Sequence, residues 1–254
     1  MSKITKSNSD LNKDIGIDDN ATSTAITIDA SENVGIGLNS PESLLHLSQP
    51  NTNEGQITLG GFYNGSEHNA GRIYFKHDSG WITELRLGTA DNHSNSYRDE
   101  LIIKKGYVTM PYQPAFSAGG SGAVHSLYLP TSTAVKVVAD TENFDRSNSY
   151  NPTNTRFTAP VSGSYQFTIK YSFQTSFSAT HHQQRFYKNG SSLSLSGCDG
   201  YSRMHAEGIY LDKARTELIY LNTGDYIEPY CYQDSGTTQQ LRNCMTTFSG
   251  HLIG

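Results

Sequence analysis

From Ala25 onward, apolar residues come in short runs separated by turn formers. The first runs are Ile26-Thr27-Ile28, Val34-Gly35-Ile36-Gly37-Leu38 and Leu44-Leu45-His46-Leu47, with Pro41 between the last two. Others follow at Gln56–Leu59, Arg72–Lys76, Trp81–Leu87, Glu100–Lys104 and Gly106–Met110. Within them apolar positions alternate or cluster, without the i, i+3, i+4, i+7 recurrence that would place them on one helix face. The pattern predicts strands throughout and no helix.

These runs are short, and the stretches Asn64–Ala70 and Ala90–Arg98 are long and polar. Ordering a residue costs on the order of 1–2 kcal/mol, so the segment needs burial beyond what its own few apolar residues supply. Threefold association would bury each copy's runs against the others and pair open strand edges. Residues 21–111 are therefore expected to form a β-rich, intertwined shaft stable as a trimer. A small independent β domain is the other reading. Residues 1–20 are rich in Ser, Asn, Asp and Lys, lack periodicity, and are expected to be a flexible arm or a segment ordered only by a partner.

The second half carries a stronger signal. Over Ser164–Phe173, Tyr165, Phe167, Ile169, Tyr171 and Phe173 fall on one face of a strand, and Gln166, Thr168, Lys170 and Ser172 on the other. Ala134–Val138, Gln184–Tyr187, Ile209–Leu211, Glu217–Leu221, Tyr226–Tyr232 and Thr246–Ile253 are further expected strands. Turn residues separate them, and Asn189-Gly190 predicts a hairpin because both residues tolerate positive φ. Many strands at short spacing without helices predict a sandwich or jelly roll of about 140 residues. Pro160 and Gly163 are read as a tight turn in which Gly163 takes a conformation closed to other residues.

Composition narrows the function. A formal charge of -5 gives no drive toward phosphate backbones or anionic membranes. Met1–Lys13 has no apolar stretch of the signal-peptide kind, and no run approaches a membrane span, so the chain is expected to be made in a cytoplasm without membrane insertion. Cys198, Cys231 and Cys244 are odd in number with no CxxC spacing, which argues against a disulfide framework and structural zinc. Gly-x-Ser-x-Gly, His-Glu-x-x-His, Walker and dinucleotide motifs are absent. His181-His182 is not spaced to share a helix face, and His205-Ala206-Glu207 lacks the Pro-Cys-x-x-Cys partner of zinc deaminases. No cofactor is expected, and no ligand spacing declares a metal, a cation on the trimer axis staying open. Paired carboxylates need only spatial proximity, so a polysaccharide-cleaving fibre stays as the enzymatic alternative.

The segment Phe144-Asp145…Asn148-Ser149-Tyr150-Asn151-Pro152…Arg156-Phe157-Thr158-Ala159-Pro160-Val161-Ser162-Gly163-Ser164-Tyr165-Gln166-Phe167 resembles the globular head of complement component 1q and its tumour-necrosis-factor-like relatives. Four more pieces follow the family's order: Pro114–Ala118 as opening strand, Tyr187–Gly190 as central hairpin, Leu221–Ile227 as late turn and Thr247–Ile253 as closing strand. Over residues 112–254 the resemblance implies a ten-stranded jelly roll that assembles as a compact homotrimer. Animal members usually carry a secretion signal and a collagen-like Gly-X-Y stalk, and neither pattern occurs here. Instead Ile28–Pro41 with Leu44–Leu47, and Glu100–Ile103 with Gly106–Pro111, resemble stretches of phage tail fibres.

The combination implies a trimeric virion fibre, of tail or capsid, with its arm in another virion protein. Its distal head is expected to bind host cell-surface polysaccharide or an outer-envelope protein. A secreted complement-head-type lectin is the alternative from a cell. If the family topology holds, two segments lie at the distal tip. One contributes Asp199, Tyr201, Arg203 and His205, the other Gln233, Asp234, Gln239 and Gln240. Tyr226, Tyr230 and Tyr232 share the outward face of one strand and are assigned to the trimer interface, since tyrosine joins large apolar area to a polar tip; a sugar-binding surface is the other reading.

Overall fold

The structure, a computed structural model of the chain, describes residues 26–47, 54–63, 66–77, 83–90, 97–121, 126–173, 178–179, 181–193, 204–205 and 211–254. It divides into two units, residues 1–111 and 112–254.

In the first unit, β1 (Ile26–Ile28) and β2 (Val34–Ile36) pair antiparallel, and β3 (Leu45–Leu47) joins β2 in parallel. Asp29 holds the β1–β2 turn: its Oδ1 accepts the amides of Ser31 at 2.8 Å and Asn33 at 2.9 Å. A second sheet follows as an antiparallel meander of β4 (Glu54–Tyr63), β5 (Ser66–His77), β6 (Thr83–Ala90), β7 (Tyr97–Lys104) and β8 (Tyr107–Thr109). Its register stacks Ile57, Ile73, Leu87 and Leu101 in one cross-strand row, and Phe75, Leu85, Ile103 and Val108 in the next on the same face. The opposite face is polar. There Tyr74 donates to Asp99 at 2.8 Å, Arg72 and Arg86 flank that carboxylate, and Glu84 pairs with Arg86 and Lys104.

In this sheet one stretch expected to lie between strands is itself paired. The strands run on into the polar stretch, where Ser66–Asn69 pair with Gly60–Tyr63, because a backbone ladder continues whatever the side chains are. Trp81 lies outside the described residues.

The second unit contains β9 (Ala115–Gly119), β10 (Ser126–Leu129), β11 (Val135–Lys136), β12 (Thr141–Asp145), β13 (Tyr150–Asn151), β14 (Arg156–Thr158) and β15 (Gly163–Phe173). They are followed by β16 (Ser178–Ala179), β17 (His182–Lys188), β18 (Ser191–Ser192), β19 (Met204–His205), β20 (Leu211–Leu221), β21 (Tyr226–Gln233) and β22 (Gln239–Leu252). One six-stranded sheet has the order β12-β9-β22-β15-β20, with β10 beside β22. The other has the order β13-β14-β21-β17-β18, with β11 beside β21. This is the two-sheet jelly roll, all-β as the patterning predicts. The count exceeds ten because two-residue pieces such as β11 and β13 also pair.

The core lies between the sheets. Tyr165, Phe167, Ile169, Tyr171 and Phe173 of β15 are fully buried, as their alternation requires. Phe116 stacks on Tyr150 and Phe157 and meets Phe248 edge-on at 5.0 Å. Gly250 makes room for these rings, since a Cβ there would sit 2.5 Å from the Phe167 ring and 2.9 Å from the Phe116 ring. Gly163 serves the same purpose. Its φ is not positive; a side chain would instead strike Leu252 at 2.7 Å, so close approach rather than turn conformation demands glycine. At the hairpin the expectation holds: Asn189 (φ 52°) and Gly190 (φ 79°) are both left-handed. Strand β20 is continuous where two short runs were expected, because polar Asp212–Thr216 keep pairing with β15.

Candidate binding and association surfaces

Within the second unit the chain enters at Pro114, whose carbonyl accepts the Leu252 amide at 2.9 Å near the end of β22. The Asp234–Thr238 loop lies at the opposite end of that strand, before Gln239. The loop is built by its own polar side chains. Gln233, fully buried, donates from Nε2 to the carbonyls of Leu129 (3.0 Å) and Thr237 (2.9 Å), and its Oε1 accepts the Ser235 amide at 2.6 Å. Gln239, also buried, donates to the hydroxyls of Ser235 and Thr237. Asp234 accepts both the amide and the ring nitrogen of His181 at 2.6 Å.

Gln233, Asp234 and Gln239 are thus brought together, as scaffolding for the loop. Gln233 has no surface left to present, because each polar atom of its amide is used in building the turn. Gln240 sits half-buried on β22 opposite Tyr128. The residues this loop exposes are Gly236, Thr237 and Thr238, which the sequence pattern did not single out because they carry no charge or aromatic ring. Asp199, Tyr201 and Arg203 lie outside the described residues. His205 is placed only by its backbone, which pairs with Ser178.

The outer face of the β21 sheet holds the tyrosines as an aromatic and cationic ladder. Arg156 lies over the Tyr226 ring at 3.8 Å, Arg185 over Tyr232 at 4.7 Å, and Tyr187 stacks on Tyr230 at 3.8 Å between centroids. Buried Glu228 accepts from Lys136 at 2.7 Å and from Arg156 at 2.9 Å. Burial pushes this carboxyl up, and the two cations outweigh it and hold it below its ordinary value. Every ring of the ladder is half-covered by a neighbour from the same chain.

The outer face of the other sheet is unlike it. Leu218 and Tyr220 on β20 are 59% and 61% exposed, Tyr128 on β10 62%, and Phe144 on β12 49%. Phe144 edges an open depression of about 490 Å³, lined also by Ser117, Arg146, Ser249 and His251. Exposed apolar side chains thus occur at three places on the outer face of this sheet, on β20, β10 and β12, on the side of the head away from the tyrosine strand. The signal in the sequence was the alternation Leu218-Ile219-Tyr220-Leu221, apolar on both faces of one strand.

Among the described residues no group of three or more His, Cys, Asp or Glu side chains is placed to hold a metal, and no helix could cross a membrane.

The second unit is thus a two-sheet jelly roll with a loop built by buried glutamines at one end. The C1q domain family matches residues 115–253, more than half of the chain, and the protein belongs to that family. Such domains are generally non-enzymatic receptor-binding modules that form homotrimers. Solved structures similar to the chain include the globular domain of zebrafish complement 1qA, 20% identical, covering 56% of this chain and 98% of that one at a TM-score of 0.39. Murine APRIL at pH 5.0 is 12% identical over 56% of this chain and 99% of that one, with a TM-score of 0.40. Eiger TNF from S. frugiperda is 7% identical over 56% and 94%, with a TM-score of 0.36. No curated protein matches.

Proposed function

We propose that the chain is a homotrimeric receptor-binding fibre of a bacteriophage virion, whose C1q head attaches to saccharide on the host envelope without cleaving it. One observation carries the assembly: among the described residues of the head, Leu218, Tyr220, Tyr128 and Phe144 are exposed on the outer face of the β15–β22 sheet, while the rings on the other sheet's outer face are partly covered. Leu218 and Tyr220, two positions apart on the outer face of edge strand β20, are the adjacent exposed pair on which an association site is centred. The β20–β10 face therefore takes the subunit contact that the sequence assigned to Tyr226, Tyr230 and Tyr232, whose rings already have cationic and aromatic neighbours. The Asp234–Thr238 end of the head then presents three copies to the host, so weak contacts add by avidity. The virion setting rests on the fibre-like stretches at Ile28–Leu47 and Glu100–Pro111, with residues 1–20 as the segment for another virion protein.

Light scattering on the purified chain tests the assembly. Three copies of the 27.9 kDa chain, about 84 kDa, are expected, and Leu218→Glu with Tyr220→Glu is expected to reduce the mass toward one copy. A monomeric parent chain overturns the reading. Retention on immobilised bacterial lipopolysaccharide or capsule, with no fall in polymer length, is the expected activity. Shortening of the polymer would make the chain an enzyme, and binding confined to animal glycans would make it a complement-type lectin.

A further inference from the structure

The meander of the first unit is finished on one face and bare on the other. On the polar face, Tyr74 and Glu84 are buried within hydrogen bonds and ion pairs that the sheet supplies to itself. On the opposite face Ile57, Ile73, Phe75, Leu87, Ile103 and Val108 are between 37% and 59% exposed. We propose that this apolar face is a second self-association surface, covered by the same face of the other two copies of the chain.

Charge chooses the occupant. Where the same face of three copies meets at a threefold axis, side chains facing the axis meet their own copies, so a charge there repels itself. The two apolar rows contain none, and Arg98 and Glu100 lie beyond the Leu87–Leu101 row. The other face, with Arg72, Arg86, Glu84, Lys104 and Asp99, would fail that condition. A foreign partner would be selected by complementary polar groups, and the apolar rows offer none to read.

Area decides how the contact forms. The exposed apolar surface is on the order of 500 Å² per copy, short of the roughly 800 Å² per partner of an independently stable interface. It associates because the copies are held together elsewhere, and in this respect the inference rests on the head being trimeric. Only Met110–Pro114 separate β8 from β9. A tether of that length reaches less than about 20 Å and gives an effective concentration in the millimolar range.

The test uses the full chain with Cys198→Ser and Cys244→Ser, carrying either Leu87→Cys on the apolar face or Thr58→Cys on the polar face. Maleimide labelling of native protein is expected to be at least tenfold slower at position 87 than at 58. A short bismaleimide is expected to join chains through position 87. Equal labelling rates in a particle of trimeric mass overturn this inference and leave the head reading standing. Protection at 87 without interchain cross-links, in a trimer, shows another cover and also overturns it. Protection in a monomer overturns both.

Discussion

Acid should unfold the head through one buried histidine. His182 is 1% exposed, with Nε2 2.8 Å from the Tyr171 hydroxyl and 3.6 Å from Cys231 Sγ, and its ring lies edge-on to Phe173. Nδ1 has no hydrogen-bond partner among the described residues. Burial, aided by the charge of Lys213, pushes the imidazole down from 6.5 to about 3, and burial pushes the Cys231 thiol up to about 12. Among the described residues, none of the causes of this shift is an anion that would stabilise the protonated ring. Between pH 6.5 and about 3 the unfolded chain therefore binds a proton that the folded head refuses. The stability contributed by neutral His182 is complete above 6.5 and falls at about 1.4 kcal/mol per pH unit as pH drops. By pH 4.5 the loss is about 3 kcal/mol, a large share of the 5–15 kcal/mol typical of a domain. The assay is urea unfolding at pH 7.0 and 4.5, at fixed protein concentration, followed by near-ultraviolet circular dichroism. His182→Gln keeps an acceptor for Tyr171 and does not titrate. It is expected to be less stable at pH 7.0 and to lose about 3 kcal/mol less than the parent on acidification. Carboxylates such as Glu228 weaken in both proteins, so the difference isolates the histidine. An identical acid loss in parent and variant would refute the reasoning.

Two further outcomes follow from the packing. Glu228→Gln removes the anion shared by Lys136 and Arg156, and a loss of about 1–3 kcal/mol is expected at pH 7, moderated by the partial exposure of both cations. An unchanged urea midpoint would show the triad to be dispensable. Gly250→Ala places a methyl group against Phe167 and Phe116, and a loss of about 1–3 kcal/mol with an altered aromatic dichroism signal is expected. A variant as stable as the parent would mean that the rings turn aside freely.

The strands of the head were legible where burial alternates. Tyr165 to Phe173 could be read directly, because a period of two with one apolar face has a single solution. The Asn189-Gly190 turn was legible for an equally local reason. The site was less so. Gln233 reads as a solvated loop residue, yet it is buried by hydrogen bonds reaching back to Leu129, 104 positions earlier in the chain. Tyr226, Tyr230 and Tyr232 read as an open aromatic face, yet Arg156, Tyr187 and Arg185 come from other strands to cover them. Partners of that kind leave no trace in local pattern.

What the sequence alone determined is the all-β class, the core strand, the hairpin and the C1q-like head, since each depends on residues near one another in the chain. The choice of which sheet face stays bare, and the use of Gly163 and Gly250 as spaces for Leu252 and Phe167, was made by tertiary structure. The reason is physical: whether a side chain is covered depends on what the register of distant strands brings over it, and a one-residue shift in that register would exchange the inner and outer faces.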